Sequence, residues 1–319
     1  MSAAQDTALN DLNNRCLSEI SVLLPGKLHQ RAKLIAQQKG PILIRGMSGT
    51  GKTLVSRLLH RFSKNESGPF VVRRCCELEP SCVNKILFGE ENGESIGNGG
   101  LFEKTKGGTL VLDDIDQLPI SAQARLVRYL DEQSFSATAN LLLITTTSRD
   151  LDGLVRKGSF LLDLWYQLRK WRLKTPSLKE RARDIRHLAS FFLHQFQAEN
   201  PDLMGPDPAF FSEEVLYLFG AMPWHGNLRE LKDAVHNLAL FIEGPKTPIH
   251  LKQAAEVIFD REYSYRSSSQ NAPQSDREYI YHVLESTGWN TSLSSRITGL
   301  SRSEITEMVR DNGWKQSSS

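Results

Sequence analysis

The chain has 319 residues, a formal net charge of +2 and 39% hydrophobic residues. This length predicts two or three domains with a hydrophobic core, and the balanced charge excludes recruitment of nucleic acid or anionic membrane by an overall electrostatic field. Residues 1–14 are polar rather than a signal sequence, and no apolar run approaches the length of a membrane span. We therefore expect a cytoplasmic protein without a membrane partner.

Short apolar strands alternate with helices after residue 27. Residues 1–27 predict a short N-terminal segment without space for a receiver or sensory domain, and 28–176 predict an α/β domain with a three-layer parallel sheet. Residues 177–260 predict a helical domain, 261–275 a polar linker, and 276–319 a small all-α unit. Strands are predicted at 42–44, 70–72, 109–112, 141–147 and 171–173, and helices at 28–38, 54–59, 121–130 and 178–196.

A glycine-rich segment lies between the first strand and the helix at 54–59. Its sequence, GMSGTGKT, fits the pattern G-x-x-x-x-G-K-[ST]. Between a strand and a helix, this pattern surrounds a triphosphate with backbone N–H groups and the positive end of the helix. Lys52 is predicted to reach the β- and γ-phosphates, and the Thr53 hydroxyl to hold Mg²⁺. We predict ATP or ADP as the ligand, bound here by Gly46, Ser48, Gly49, Thr50, Gly51, Lys52 and Thr53.

The third strand ends in two adjacent carboxylates, Asp113 and Asp114. Downstream of a phosphate-binding loop, the first acid of such a pair holds Mg²⁺ and the second polarises the attacking water. Asp113 is therefore predicted to bind nucleotide and Mg²⁺ together with Thr53. Asp114 is the candidate for a weak catalytic acid.

Several segments resemble bacterial enhancer-binding proteins, the AAA+ activators of the sigma-54 class. GGTLVLDDI at 107–115 is similar to their GGTLFLDEI, and 87–89 and 101–103 match their LFG and GxFE segments. Residues 148–151 resemble their sensor I, and WHGNLREL at 224–231 resembles WPGNVREL. The resemblance implies an AAA+ core, a helical lid and a helix-turn-helix. It also implies that Arg229 is the sensor II residue, which contacts phosphate from the lid.

The chain departs from this family at the loop that contacts sigma-54. The family carries a GAFTGA loop between LFG and GxFE, and its Phe and Thr contact the sigma factor. Here the interval 90–100 is shorter and contains neither Phe nor Thr. Direct remodelling of the sigma-54 holoenzyme is therefore not expected from the sequence.

A second group of departures concerns hydrolysis. The family's second acid is Glu, whereas Asp114 is one methylene shorter, and such positioning controls orders of magnitude in rate. Leu161 and Gln167 occupy the positions of two arginines that reach the neighbouring subunit's γ-phosphate, a contact worth about 10³–10⁵ in rate. Arg74 replaces an Asn that restrains the catalytic acid. We therefore predict nucleotide binding with slow or absent turnover, unless Arg156, Arg169 or Arg172 substitutes.

The C-terminal segment predicts three helices, at 276–286, at 292–297 and from Ser301 to about residue 311. Gly299 suits the left-handed turn between the last two, which is typical of a helix-turn-helix. Residues 290 and 299–302 also match the Fis-type domain of the family. Because the net charge of this segment is near zero, a three-helix packing module that does not bind DNA is kept as an alternative. Contacts to double-stranded DNA are predicted for Ser301, Arg302, Ser303, Thr306 and Arg310.

Three functional hypotheses follow. The first is a sequence-specific DNA-binding regulator with a degenerate AAA+ domain, which works with RNA polymerase and without sigma-54 remodelling, as in the tyrosine-repressor branch of the family. Nucleotide between subunits would bias the equilibrium between dimer and hexamer and so change occupancy on DNA, and a dimer would favour a palindromic site. The second is a sigma-54-dependent activator that hydrolyses ATP. The third, a replication-type AAA+ initiator, fits the GGTL and WHGN segments less well.

Overall fold

The computed structural model describes residues 23–89, 99–135, 140–204, 209–240, 249, 254, 280–281, 283–285, 287–298 and 300–314. Most of the predicted N-terminal segment, most of the loop between LFG and GxFE, the predicted linker and Gly299 lie outside these residues. The chain divides into two compact units, Met1–Ser177 and Leu178–Ser319. Within the described ranges, no helix is both long and apolar enough to span a bilayer.

The first unit alternates helices and strands from Gly26 to Lys174. Its five strands are β1 (Ile42–Arg45), β2 (Phe70–Arg74), β3 (Thr109–Asp113), β4 (Leu142–Thr147) and β5 (Trp171–Lys174). Its helices are α1 (Gly26–Ile35), α2 (Lys52–Phe62), α3 (Val83–Phe88), α4 (Leu101–Lys104), α5 (Ile120–Phe135), α6 (Leu151–Arg156) and α7 (Leu162–Leu168), with 3-10 turns at Cys75–Glu77 and Ile115–Gln117.

The five strands form one sheet in the order β2-β3-β4-β1-β5, and all pairings are parallel. The prediction of five strands in a parallel sheet is confirmed. Because all strands run in one direction, the segments that follow β1, β3 and β4 meet at the carboxyl edge of the sheet. Strand β4 lies between β3 and β1, so its end separates the acids of β3 from the glycine-rich loop.

Both faces of the sheet are covered. Leu43, Leu110 and Leu112 point to one face, where they pack with Phe160 and Leu164, and all five side chains are at most 2% exposed. The neighbouring strand residues alternate to the other face, where α1 and α2 supply the apolar partners. Burial on both faces explains why the strands are continuous apolar runs and confirms the predicted three layers.

All four helices predicted before residue 200 differ in their bounds, and the helices predicted at 54–59 and 121–130 extend over Lys52–Phe62 and Ile120–Phe135. The first helix begins at Gly26, with Pro25 as its N-cap, and ends at Ile35 rather than at residue 38. The single helix predicted at 178–196 is wrong at its start, because a 3-10 turn at Lys179–Asp184 precedes the helix Ile185–Glu199. Arg181 has a non-helical backbone there (φ −131°, ψ 42°), which ends the continuous hydrogen-bonding pattern.

The described part of the second unit is helical, apart from one bridge between Phe211 and Ile249. Buried apolar residues at helical spacing join its first helices into one core. Its helices are α8 (Ile185–Glu199), α9 (Pro201–Met204), α10 (Glu213–Ala221), α11 (Asn227–Ala239), α12 (Thr291–Thr298) and α13 (Arg302–Asp311).

Candidate functional site

The loop between β1 and α2 needs glycine at three positions. Gly49 and Gly51 have φ values of +74° and +92°, which other residues rarely adopt, and Gly51 is the N-cap of α2. A Cβ on Gly46 would lie 1.9 Å from the Thr175 hydroxyl oxygen. The predicted glycine pattern therefore has a steric cause at each of these positions.

Hydrogen bonds within unit 1 hold this loop in shape. The Thr50 hydroxyl donates to the carbonyl of Met47 (2.8 Å) and shares a hydrogen bond with the Thr175 hydroxyl (2.7 Å). Thr50 is only 1% exposed, so these bonds are shielded from water. The Lys52 ammonium donates to the carbonyls of Gly46 (3.0 Å) and Met47 (3.2 Å), so it folds back over the loop. These hydrogen bonds fix the conformation of the loop.

The two acids that end β3 are held in different ways. The Thr146 hydroxyl donates to Asp113 and accepts from the backbone N–H of Asp114 (3.3 Å). Asp114 has a left-handed backbone (φ +55°), a conformation that Asp tolerates better than most residues. Burial raises the pKa of Asp114 above its ordinary value and repulsion from Asp113 adds to the rise, while Lys52 opposes it. Asp114 therefore lies close enough to Lys52 and to Asp113 for both charges to affect its pKa.

Three further residues at this edge were not predicted. Asp116, in the 3-10 turn after β3, accepts hydrogen bonds from the Thr147 hydroxyl (2.5 Å) and the Gln117 amide (2.8 Å). Thr146 and Thr147 belong to a run of fully buried threonines at the end of β4. The signal in the sequence that could have indicated these contacts is the group of three aspartates within residues 113–116.

Helix α7 and its N-cap residue, Leu161, contain the two positions at which the family's arginines are expected from the sequence. The Gln167 amide donates to Asp131 of α5 (2.7 Å), and the backbone N–H of Leu161 donates to Gln123 (2.8 Å). The three arginines considered as substitutes each contact another side chain of the same unit. Arg156 pairs with Asp150 (3.9 Å), Arg169 stacks over Tyr166 (4.2 Å to the ring centre) and Arg172 lies near Trp165 (5.9 Å).

Arg74, which replaces the family's Asn, ends β2 directly opposite Asp113 in the sheet register. Its guanidinium pairs with Glu77 (3.3 Å) and lowers the pKa of Asp114, against the larger effect of burial. It therefore brings a positive charge to the acids where an amide is expected. We infer that Asp114 differs from the family's acid in the length of its side chain and also in the charge of its surroundings.

The WHGNLREL segment builds the first turn of α11. The Trp224 indole donates to the carbonyl of Phe219 (2.7 Å), and the buried Asn227 amide oxygen accepts from the backbone N–H of Leu178 (2.8 Å). Glu230 accepts from the backbone N–H of Gly226 (2.7 Å). These bonds have structural roles, and they leave Arg229 on the exposed side of the helix.

The residues at the carboxyl edge fit a nucleotide and Mg²⁺. The loop offers backbone N–H groups at the start of α2, and Lys52 adds a cation, which together suit a phosphate chain. The Thr53 hydroxyl and the Asp113 carboxylate are oxygen ligands of the kind that Mg²⁺ prefers, and Thr53 is exposed in the first turn of α2.

The described part of the C-terminal segment has a small core of its own. Ile280, Leu284 and Ile305 are buried together. The fully buried Ser294 shares a hydrogen bond with Thr287 (2.9 Å). Ser301 caps α13 in a capping box with Glu304. The side chains predicted to contact DNA are all exposed: Ser301, Arg302, Ser303, Thr306 and Arg310.

The segment predicted to replace the sigma-54-contacting loop lies outside the described residues at 90–98. The residues on either side of it, Gly89 and Gly99, form an isolated antiparallel bridge. The two ends of the segment are therefore held together. Buried Phe102 stacks on Phe88 beside this bridge (5.1 Å between ring centres, 6° between planes).

A parallel sheet of this strand order, with a phosphate loop after β1, an acid pair after β3 and a helical lid, is the fold of an AAA+ P-loop NTPase. The model of the sigma-54 interaction domain family matches residues 24–174, and that of the AAA+ ATPase lid domain matches 179–269. The chain belongs to the bacterial enhancer-binding protein family.

Individual relatives agree with this assignment. The regulatory protein AtoC of Escherichia coli K12 is 32% identical over 88% of this chain and 64% of its own. The transcriptional regulator NtrC of Rhizobium meliloti is 31% identical over 85% and 64%, respectively. The chain thus spans 64% of the length of these two relatives. Among solved structures, NtrX of Brucella abortus in complex with ATP has a TM-score of 0.64 and 25% identity over 98% of this chain and 74% of its own.

Proposed function

We propose that the protein is a sequence-specific DNA-binding regulator of bacterial transcription that binds ATP or ADP with Mg²⁺ and hydrolyses ATP slowly or not at all. One observation carries this proposal. The phosphate loop has its glycines and lysine in place, while Leu161, the N-cap residue of α7, and Gln167, within α7, stand where the family has arginines and are hydrogen-bonded within their own unit.

Nucleotide binding is supported by the loop, by Lys52 and by the acid edge. NtrX of Brucella abortus, which shares the fold, has been solved in complexes with ADP and with ATP. In this chain Lys52 would hold the β- and γ-phosphates, Thr53 and Asp113 would hold Mg²⁺, and Arg229 would reach the phosphates from the lid. Bound Mg²⁺ would neutralise charge that develops on the phosphates.

Slow turnover is supported by three differences from the family. Asp114 is shorter than the family's Glu, and its raised pKa makes it easier to protonate than an ordinary aspartate. Arg74 replaces an amide opposite Asp113. The positions of the two γ-phosphate arginines carry Leu161 and Gln167. Each change lowers the rate without removing a group that holds nucleotide.

DNA binding is proposed for α12 and α13. The exposed first turn of α13 presents Arg302, whose guanidinium can contact a guanine with two hydrogen bonds. Glu304 is held in the capping box, and Glu307 lies 3.8 Å from Arg310, so the charge of Glu307 is partly offset. A Fis-type helix-turn-helix that dimerises through 276–286 would read a palindromic site.

The family match supports a second candidate, a sigma-54-dependent activator that uses ATP hydrolysis to remodel RNA polymerase holoenzyme. The sigma-54 interaction domain model covers residues 24–174, which include the phosphate loop and α7. This candidate requires turnover and a contact with sigma-54. The first candidate requires only binding of nucleotide and DNA, with self-association and RNA polymerase as the route to the promoter.

ATP turnover of the full chain, measured beside ATP and ADP affinity over a range of protein concentration, separates the two candidates. Binding with turnover near background, and no dependence of a reporter on sigma-54, supports the first. Turnover that rises steeply with protein concentration, together with sigma-54 dependence, supports the second. Absence of nucleotide binding refutes both.

A separate experiment tests the DNA-binding part. Selection from a random duplex library identifies the preferred site, and Arg302→Ala should weaken binding to that site by about 1–3 kcal/mol, which is roughly 5- to 150-fold. Arg183→Ala, in the 3-10 turn before α8, serves as the matched control for removal of one exposed arginine. No enrichment of any sequence by the full chain would leave the three-helix segment as a packing module.

A further inference from the structure

Two side-chain contacts join the lid to the C-terminal segment within the second unit. Glu214, in the first turn of lid helix α10, forms an ion pair with Arg296 of α12. The side-chain amide of Asn290, which directly precedes α12, donates to the Tyr217 hydroxyl of α10 (3.1 Å). Glu214 and Tyr217 are three positions apart, so they lie on one face of α10. That face of the lid therefore contacts the first helix of the predicted helix-turn-helix.

The two adjacent acids at the start of α10 have different partners. Glu213 lies 3.1 Å from Arg186 of α8, so its ion pair stays within the lid. Glu214 pairs instead with Arg296, and the two side chains are 43% and 57% exposed. Exposed ion pairs are individually weak and are screened by salt, but both helices belong to one chain, which raises their effective concentration. The α10–α12 contact is therefore favoured in the free protein and weak enough for a competing ligand to displace.

The side chains of α12 that the lid engages are of the kind that contact DNA phosphates. In a helix-turn-helix, the first helix crosses the DNA backbone while the second enters the major groove. Arg296 is the only charged residue of α12, and arginine and asparagine side chains both donate hydrogen bonds to phosphate oxygens. Asn290 also accepts from the backbone N–H of Leu293 (3.1 Å), which fixes its amide at the start of α12. The Glu214 carboxylate thus lies where Arg296 would meet a phosphate oxygen.

The second helix of the motif stays accessible, since the side chains of α13 predicted to contact DNA are exposed from Ser301 to Arg310. The lid therefore competes for backbone contacts and leaves base contacts free. We propose that α10 is an autoinhibitory surface, on which Glu214 and Tyr217 hold α12 away from DNA phosphates until DNA displaces them. This inference rests on the proposed DNA binding by α12 and α13.

The test is the affinity of the full chain for its selected duplex, measured by fluorescence anisotropy at fixed salt. Glu214→Gln removes the charge that pairs with Arg296, and Tyr217→Phe removes only a hydroxyl. We expect each variant to bind the duplex about two- to fivefold more tightly, because a weak contact withholds only part of the population from DNA. Glu213→Gln is the matched control, since it removes the neighbouring acid, whose partner lies within the lid, and should leave affinity unchanged.

A second set of variants tests whether Arg296 meets the DNA backbone. In the Glu214→Gln background, Arg296→Ala should weaken binding and reduce the slope of log affinity against log salt by about 0.9, the value for one phosphate contact. When Arg296→Ala is already present, Glu214→Gln should give no gain, because the two residues act through one contact. Tyr217→Phe leaves the charge unchanged, so a gain in that variant does not come from weaker repulsion of DNA.

Equal affinity of Glu214→Gln, Tyr217→Phe and Glu213→Gln for the duplex would overturn the inference, because the α10–α12 contact would then not compete with DNA. Weaker binding by Glu214→Gln would overturn it too, and would mean that the lid holds α12 in the orientation that DNA requires. Both results leave the proposed DNA binding intact. A weak contact does not abolish enrichment, so if the unmodified chain enriches no duplex, the proposed DNA binding is wrong and this inference fails with it.

Discussion

The loop after β1 and helix α7 belong to the same unit, yet they differ in how much of the family's chemistry they keep. The loop has glycines in left-handed conformations, and Lys52 is already folded over it. Leu161, the N-cap residue of α7, and Gln167 within α7 replace the two arginines expected from the family, and the Gln167 amide donates a hydrogen bond to Asp131. Groups that hold a nucleotide act on the ground state, whereas the arginines act on the transition state. The contrast supports binding with little turnover.

The largest expected effect comes from restoring the arginines. In the double variant Leu161→Arg with Gln167→Arg, we expect ATP turnover to rise by up to about 10³-fold wherever the protein self-associates, because each arginine stabilises charge on the transferred phosphate. The measurement is phosphate release against protein concentration. Leu161→Ala with Gln167→Ala is the control for loss of the native contacts. An unchanged rate in an assembled double variant would place the defect elsewhere, with Asp114 as the next residue to test.

The second largest effect is expected when a charged group of the phosphate loop is removed. Lys52→Ala removes the cation that would pair with the phosphates, and a hydrogen bond to a charged group is worth about 1.5–3 kcal/mol. We expect ATP affinity to fall roughly 10- to 100-fold, measured by calorimetry. Lys106→Ala, which removes an exposed lysine paired with Glu103, should leave affinity unchanged. Equal affinity in both variants would mean that the phosphates lie outside this loop.

The same contrast shows what sequence could and could not predict. Short apolar runs gave the five strands, because burial on both faces allows no polar alternation. The phosphate loop was predictable because its glycines and lysine lie within eight residues. The partners of Asp116 were not, because Thr147 and Arg149 are more than thirty residues away and only the parallel pairing of β3 and β4 brings them together. The start of α8 was missed because local turn bonding at Arg181 overrides a helical pattern.

A smaller effect on nucleotide binding is expected from Thr175, whose hydroxyl contacts the phosphate loop. Thr175→Val removes a hydroxyl that shares a hydrogen bond with buried Thr50, which should cost about 1 kcal/mol of unfolding free energy and weaken nucleotide binding a few-fold. Thr145→Val, on the same sheet but away from the loop, is the matched control, because its hydroxyl contacts Ile42 (3.4 Å). Calorimetry and thermal unfolding of both variants would locate the effect. If Thr145→Val weakens nucleotide binding as much as Thr175→Val, general stability accounts for both.

The smallest effect concerns Asp114 and depends on pH. Burial raises the pKa of Asp114 in the folded protein, so the folded state binds more protons than the unfolded state between the ordinary pKa and the raised one. Unfolding free energy from this group therefore falls as the pH rises through that window. Asp114→Asn removes the ionisation, so the nucleotide-free variant should be more stable than the unmodified protein near neutral pH. That advantage should shrink as the pH falls towards and below the ordinary aspartate pKa of about 4, where Asp114 becomes neutral in both states.

Thermal unfolding across this pH range provides the measurement, with Glu132→Gln as the control for removal of one exposed carboxylate from α5. An advantage of Asp114→Asn that grows towards acid pH would reverse the sign and mean that Asp114 is stabilised as a carboxylate. In that case the acid edge would resemble the phosphate loop in being arranged for its ligand, and the contrast with α7 would become sharper. If the advantage shrinks towards acid pH, Asp114 is a carboxyl whose charged form is disfavoured in the folded protein, and it joins the α7 substitutions as a feature that weakens turnover.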